Sequence, residues 1–164
     1  MIENKAKHSA KAIANYMLAL SWDNAKDEDE PIATSDITQM KLHKLLFFVQ
    51  GFSLALLGRP AFSEPIVAWA HGPVVNDIYS LFRTHGKDVI PAPTEEDVPD
   101  LPTEDEELAG VIDEVMDVYG QFSAWKLRDL THAEGPWTHT AQNQEIKLEE
   151  MRQHFLTRVK ASAG

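Results

Sequence analysis

Residues 37–60, with the sequence ITQMKLHKLLFFVQGFSLALLGRP, decide how this chain folds. Apolar side chains cover nearly every face of the helix that this stretch predicts, a pattern typical of a helix enclosed by other elements. One of residues 34–36 (Thr-Ser-Asp) can cap its first turn, and Gly58 followed by Pro60 ends it. We therefore predict a mainly α, compact multi-helix domain around one buried central helix.

A narrow polar track interrupts the apolar surface of this helix. Gln39, His43, Gln50 and Ser53 recur at helical spacing, and Gly51 lies beside them. A glycine within a helix costs about 1 kcal/mol relative to alanine, so we expect it to let another backbone come close. Two interpretations stay open: a partly exposed edge beside a helix-packing glycine, or a buried polar seam that receives another segment.

Length and composition predict one domain. The chain has 164 residues and no cysteine, which excludes disulfides, thiol chemistry and cysteine-bound zinc. The N-terminus lacks the apolar core of a secretory signal, and no unbroken apolar run is longer than the one at residues 45–49, which is far shorter than a membrane span. We expect residues 1–164 to form a single cytoplasmic domain that has no membrane partner.

The negative charge is concentrated in one segment. The net charge is −11, and twelve of the 26 acidic residues lie between Asp88 and Asp117, where no lysine or arginine occurs. Such a block repels phosphate backbones, so it argues against nucleic acid as a partner and disfavours a DNA-binding autoregulator. The block is either a landing surface for a basic partner or a solvated face. The residues that would form this acidic surface are Glu95, Glu96, Asp97, Glu104, Asp105, Glu106 and Glu107.

The first half of the chain predicts elements that pack on the central helix. An amphipathic helix over residues 5–20 should lie against it, and a mobile acidic connector follows at 23–31. Residues 66–69 favour a short strand or hairpin arm, since two prolines before them bar a helix. A turn comes next, in which Pro73 takes the first position of a helix that ends near Gly86.

The second half predicts three more helices. An acidic, Pro-rich surface loop at 88–102 leads into a capping box at 103–106 (Thr-Glu-Asp-Glu), which begins a helix. A shorter helix at 123–132 should be buried through Trp125 and its leucines, and a last helix covers 143–159. The total is six helices, one of which is the buried central helix, with at most a short strand pair.

The histidines are the strongest sign of catalytic chemistry. His71, His132 and His139 lie in or beside turns, and Glu134 follows His132 by two residues. A metal-dependent hydrolase built on these four residues is an alternative, but no pair has the spacing of a zinc-binding helix. Gly-rich phosphate loops and dinucleotide fingerprints are also absent from the sequence. We therefore predict a protein that is not an enzyme and has neither a cofactor nor a metal.

Two segments together resemble a known family. Residues 42–82 read LHKLLFFVQGFSLALLGRPAFSEPIVAWAHGPVVNDIYSLF, and residues 130–137 read LTHAEGPW. This combination resembles the Panacea domain of antitoxins, a family that includes SocA-like antitoxins and phage-associated GepA-like proteins. The connector and the acidic segment are not part of the resemblance.

The resemblance implies a small helical antitoxin that neutralises the toxin encoded by an adjacent gene by binding it directly. In the SocA-like branch it implies a proteolytic adaptor that delivers the toxin to ClpXP; homo-oligomer formation stays open. Aromatic side chains near rigid turns often anchor protein interfaces, which guides the choice of contact residues. The predicted partner-binding residues are His43, Gln50, Trp69, His71, Gly72, Pro73, Tyr79, His132 and Trp137.

Overall fold

The central helix, α2, spans Gln39–Leu57, and every residue from Lys41 to Gly51 is buried. In the computed structural model, which describes residues 6–26, 35–133 and 135–163, four other helices and a β-hairpin pack against α2. By length and composition alone this helix could cross a membrane, a test that the core helix of a soluble protein also passes. The prediction of one enclosed helix in a mainly α domain is confirmed.

Eight α-helices and one two-stranded antiparallel sheet form the described part of the chain. Six of the helices correspond to those predicted, and two helices of one turn each were not anticipated. Beside α2 the elements are α1 (Ala10–Lys26), β1 (Ile66–Trp69), β2 (Gly72–Val75), α3 (Asn76–Phe82), α4 (Leu101–Glu104), α5 (Glu106–Tyr119), α6 (Ala124–His132), α7 (Gly135–Thr138) and α8 (Leu148–Ala163).

The cap at the start of α2 differs from the prediction. Thr38 is the N-cap, and its hydroxyl accepts a hydrogen bond from the Lys41 N–H at 3.3 Å. Ser35 instead accepts from the Ile37 N–H and bonds the Ser21 hydroxyl, and Thr34 lies outside the described residues. At the other end the prediction is confirmed, because Gly58 ends the helix with a left-handed φ of 72°.

Aromatic rings fill the space between α2, α5 and α8. Phe48 of α2 stacks on Tyr119 of α5 with ring centroids 4.1 Å apart, and Phe52 meets Phe155 of α8 edge to face at 4.9 Å. Gly51 lies directly under the Phe155 ring. The glycine therefore admits a neighbouring side chain, where the sequence interpretation expected a backbone.

The predicted hairpin arm is confirmed, but Pro73 belongs to it rather than to a helix. Pro73 lies opposite Ala68 in β2, and α3 begins three residues later. Gly72 has a φ of 129°, which side chains rarely tolerate, so a glycine is needed where the turn re-enters the sheet. The outer edge of β1 is covered by residues 143–146, which bond to the backbone of Ile66 and Ala68.

That extra pairing explains why the last helix starts later than predicted. Residues 143–146 run along β1 instead of forming the first turn, and α8 begins at Leu148 and continues to Ala163. At the N-terminus, α1 is also displaced: it spans Ala10–Lys26, and its main helical neighbours are α3 and α5 rather than the central helix. Most of the predicted connector, residues 27–31, lies outside the described residues.

Two further predictions about the second half are wrong. The cap of α5 is Asp105, whose carboxylate accepts from the Leu108 N–H, whereas Thr103 lies inside the one-turn helix α4. Trp125 is 66% exposed, because α6 buries Leu127 and Thr131 instead. The helix predicted to follow the capping box is itself present as α5, which buries Leu108, Val111, Ile112, Val115 and Tyr119.

The contact between Gly51 and Phe155 can be tested by a pair of substitutions. Gly51→Ala should lower the free energy of unfolding by about 1–3 kcal/mol, because the new Cβ overlaps the Phe155 ring. Gly110→Ala in α5 is the matched control: no atom lies within 4 Å of its added Cβ, and it should stabilise by about 0.5–1 kcal/mol. Urea denaturation measures both, and equal effects would contradict the packing described here.

Candidate functional site

A cleft of about 890 Å³ opens beside the first turns of α2. The hairpin, α3, the first turn of α6 and residues 142–143 complete its walls. Ligand-binding clefts in proteins typically enclose about 300–1,000 Å³, so this one can receive a small molecule or several side chains of a partner. No Asp or Glu is among the described residues that line it. Its charged, aromatic and histidine lining residues are Lys44, Arg83, Lys87, Trp69, Tyr79, Trp125, His43 and His71.

His43 is the buried histidine of the cleft and is held in one tautomer. Its Nδ1 accepts a hydrogen bond from the Val75 N–H at 3.1 Å, so Nε2 carries the proton and donates to Gln39 Oε1 at 3.2 Å. Burial, followed by the charge of Lys44, lowers the pKa of His43 to about 3. The ring is therefore neutral at physiological pH and fixes the point where β2 passes into α3.

Lys44 is a buried cation without a carboxylate partner among the described residues. It is 3% exposed, and its Nζ donates to the Met40 carbonyl at 3.2 Å. Lys41, one turn away and equally buried, shows the usual arrangement: it donates to the Asp36 carboxylate at 2.7 Å and to the Gly120 carbonyl at 2.6 Å. Burial, followed by the charge of Arg128, lowers the pKa of Lys44 to about 8, so the amine is still mostly protonated at pH 7.

A stacked pair of rings supports the hairpin from outside the cleft lining. His132 and Trp137 lie face to face with centroids 4.0 Å apart, and Trp137 Nε1 donates to the Trp69 carbonyl at 3.0 Å. Burial and then the charge of Arg128 lower the pKa of His132, although a hydrogen bond to the His71 backbone opposes them. The pair thus positions the turn that carries Trp69 and His71.

The polar track of α2 binds the chain's own backbone. The Gln50 side chain accepts from the Ala61 and Phe62 N–H groups and donates to the Phe62 carbonyl, and Ser53 donates to the Arg59 carbonyl at 2.7 Å. These are backbone groups that the segment after Gly58 would otherwise leave unsatisfied. The structure therefore selects the second interpretation, a buried seam that receives another segment.

Of the nine residues predicted to bind a partner, four line the cleft, and these are His43, Trp69, His71 and Tyr79. Three others present no accessible side chain: Gly72 and Pro73 are buried in β2, and Gln50 is 1% exposed with its amide fully occupied. His132 and Trp137 are half-buried in their stack and act on the cleft through the hairpin.

Asp105 does not belong to the predicted acidic surface. It is buried in a bidentate ion pair with Arg59, at 2.7 and 3.0 Å, and also contacts His8 Nε2 at 3.2 Å. Burial alone would raise the pKa of Asp105, but the hydrogen bonds from Arg59, the Leu108 N–H and His8 lower it below its usual value. The other predicted members are all exposed: Glu95, Glu96, Asp97, Glu104, Glu106 and Glu107.

The turn histidines do not assemble a metal site in the part of the chain that the structure describes. No group of three or more His, Asp or Glu side chains there is placed to hold an ion. His71 and His139 are exposed, whereas His132 is stacked on Trp137. Glu134, the carboxylate of the hydrolase alternative, lies outside the described residues.

Comparison with known proteins agrees with the resemblance noted in the sequence. The family model described as "Antitoxin SocA-like, Panacea domain" matches residues 42–138. The chain belongs to this family. It is also similar to the Antitoxin SocA of Caulobacter vibrioides (strain NA1000 / CB15N), with 32% identity over 147 residues that cover 85% of this chain and 73% of the relative. No solved structure matches.

The Panacea match includes most of the cleft. It runs from Leu42 in α2 to Thr138 at the end of α7, so it contains the hairpin, α3, α6 and the stacked ring pair. Neither α1 nor α8 lies within it, although α8 packs along α2 and carries Phe155 into the core. The cleft is thus mostly a feature of the Panacea segment, and its described lining residues include none from α1 or α8.

The cationic lining of the cleft was not predicted from sequence. One indication in the sequence pointed to the burial of Lys44: it directly precedes the unbroken apolar run at 45–49, on a helix that is apolar on nearly every face. Arg83 and Lys87 are exposed and had no such signal. Trp125 was assigned to the core, since an amphipathic pattern does not show whether a large apolar side chain is covered.

The neutral state of His43 leads to a prediction about pH. The folded pKa is lower than the unfolded value of 6.5, so the unfolded chain takes up a proton first and stability falls as the pH drops below 6.5. By linkage this loss is about 2 kcal/mol at pH 5. His43→Gln, which keeps an acceptor and a donor, should abolish that part of the pH dependence in denaturation curves at pH 5 and 7.5.

His139→Gln is the matched control, because it removes an exposed histidine that lies outside the cleft lining. This variant should keep the pH dependence of the parent protein. If His43→Gln and His139→Gln both retained the full slope, the buried neutral imidazole would not be its source.

Proposed function

We propose that this protein is a cytoplasmic antitoxin that neutralises a cognate toxin by binding it directly. Membership of the SocA-like Panacea family carries the proposal, together with the identity to a protein named Antitoxin SocA along most of its length. The toxin is expected to be the product of an adjacent gene. Binding is sufficient for the activity, so no catalytic step by this chain is required.

The surface around the cleft has the composition of a protein-binding site. Trp125 and Tyr79 are 66% and 37% exposed, and the turn at His71 lies on the same cleft. Exposed tryptophan and tyrosine are enriched at interface hot spots because they bury a large apolar area with few rotatable bonds. We propose that the toxin contacts the cleft at Trp125, Tyr79 and the turn at His71.

A second surface supports fast and selective association. The acidic surface, now without Asp105, contains six exposed carboxylates within residues 95–107. Charges of one sign on an interface raise the association rate for a partner of opposite charge and lose this effect in salt. The proposal therefore gives the toxin a basic patch that faces this segment.

A narrower form of the proposal is that the antitoxin delivers the toxin to ClpXP, as the resemblance to SocA-like antitoxins implies. The two forms differ in what happens to the toxin. Masking leaves a stable complex, whereas delivery removes the toxin and returns the antitoxin unchanged.

Co-expression with the adjacent gene tests both forms. The neighbour should arrest growth alone and be harmless with this protein, and growth is measured in cells with and without ClpXP. Rescue only where the protease is present, with a short toxin half-life, supports delivery. Rescue in both strains supports masking, and a neighbour that is harmless in every strain contradicts the antitoxin assignment.

The role of the acidic surface is tested by charge reversal in a matched pair. Glu106→Lys with Glu107→Lys, in the first turn of α5, should slow toxin association at low salt by about tenfold. Glu149→Lys with Glu150→Lys alters the first turn of α8 in the same way and serves as the control. Stopped-flow association rates decide, and equal rates for the two variants would remove the acidic surface from the proposal.

A further inference from the structure

The cleft has the opposite charge from the protein as a whole. In a chain with a net charge of −11, its lining contains Lys44, Arg83 and Lys87, and no carboxylate is found among the described lining residues. Low-dielectric walls concentrate the field of such a cluster, which favours an anionic occupant over a neutral one.

Lys44 provides the most specific observation. A buried ammonium group is normally neutralised by a carboxylate, as Lys41 is by Asp36, yet Lys44 has one backbone carbonyl as its partner among the described residues. An ammonium group offers three donors, so Nζ can still bind a group that enters the cleft. The nearby charge of Arg128 also disfavours the ammonium form, and an anion would relieve both costs.

Two helix ends add to the positive potential. Gln39 and Met40 in the first turn of α2 line the cleft, as do Ala124 and Trp125 in the first turn of α6. The N-terminus of a helix carries partial positive charge, which acts within about one turn. First-turn residues of both helices therefore line the same cleft as Lys44.

The aromatic residues of the lining favour an occupant that carries an apolar group beside its negative charge. The Trp69 and Tyr79 rings meet edge to face, with their centroids 5.0 Å apart. Trp125 also lines the cleft, and the guanidinium carbon of Arg128 lies 5.8 Å from the centroid of its ring. Exposed rings of this kind are typical of sites that bind another protein. The chemistry of the lining thus fits a peptide segment that carries both acidic and aromatic side chains.

We infer that the cleft receives an acidic, aromatic segment of the toxin, with a carboxylate on Lys44 and an aromatic side chain between Trp69, Tyr79 and Trp125. This inference rests on the proposed function, since it names the part of the partner that is bound. The antitoxin then offers the toxin two surfaces of opposite charge, and only a partner with both complementary patches meets them together.

A partner-independent experiment tests the cleft itself. Three probes are titrated into the ¹⁵N-labelled full chain: the blocked peptide Ac-GEFEFG-NH₂, its counterpart Ac-GKFKFG-NH₂, and inorganic phosphate. The acidic peptide should shift the indole signals of Trp69 and Trp125, and the basic peptide should not. Lys44→Met, which keeps the volume of the side chain, should weaken binding of the acidic peptide at least tenfold, whereas Lys11→Met at an exposed position of α1 should not.

Each result has a defined meaning. Equal shifts with both peptides, or none with the acidic one, would overturn the inference. Cleft shifts with phosphate as large as those with the acidic peptide would overturn it in favour of a free-anion pocket. If Lys44→Met is poorly folded by circular dichroism, the exposed pair Arg83→Gln with Lys87→Gln replaces it and should give the same loss.

The toxin complex then separates this inference from the proposed function. Lys44→Met and Trp125→Ala should each weaken toxin binding at least tenfold, and Leu56→Ala, which truncates another exposed apolar side chain outside the cleft lining, should not. Full toxin binding by both cleft variants would overturn the inference and leave the antitoxin assignment intact. If the parent protein bound the acidic peptide but failed to rescue growth, only the antitoxin assignment would be contradicted.

Discussion

The fold depends on the hydrogen bonds that the polar face of α2 makes to the backbone of residues 59–79. These bonds lie inside the core, where Gln50 and Ser53 hold the segment after Gly58, and Gln39 and His43 hold the start of α3. An apolar helix would bury the same area but leave those backbone groups unsatisfied, at about 1–3 kcal/mol each. The seam therefore decides where the hairpin and α3 lie on the central helix.

The same constraint shapes the cleft. Because His43 fixes Val75 and Gln39 reaches the Tyr79 carbonyl, the wall formed by β2 and α3 keeps a set distance from the first turns of α2. The stack of His132 on Trp137 supports the other end of the hairpin. A frame held by these contacts reduces the ordering cost of the toxin binding that we propose.

Electrostatics divides the molecule into two surfaces. The acidic side chains between Asp88 and Asp117 are exposed except for Asp105, whereas the cleft is lined by Arg83, Lys87 and the buried Lys44. Where opposite charges meet inside the protein they are closely paired, as in the Arg59 and Asp105 contact. Among the described residues Lys44 has no such carboxylate partner, and the proposed acidic occupant of the cleft rests on this difference.

Sequence by itself determined the enclosed central helix, its end at Gly58, the hairpin arm and the family, because periodicity, glycine and short motifs act locally. Tertiary structure alone decided which polar groups are occupied. Asp105 is buried in an ion pair with Arg59, which lies 46 residues away in the sequence, and so does not belong to the acidic surface. Trp125 is exposed because neighbouring elements do not cover it. Pairings between distant segments leave no local pattern, so the cationic cleft emerged only when the helices were packed.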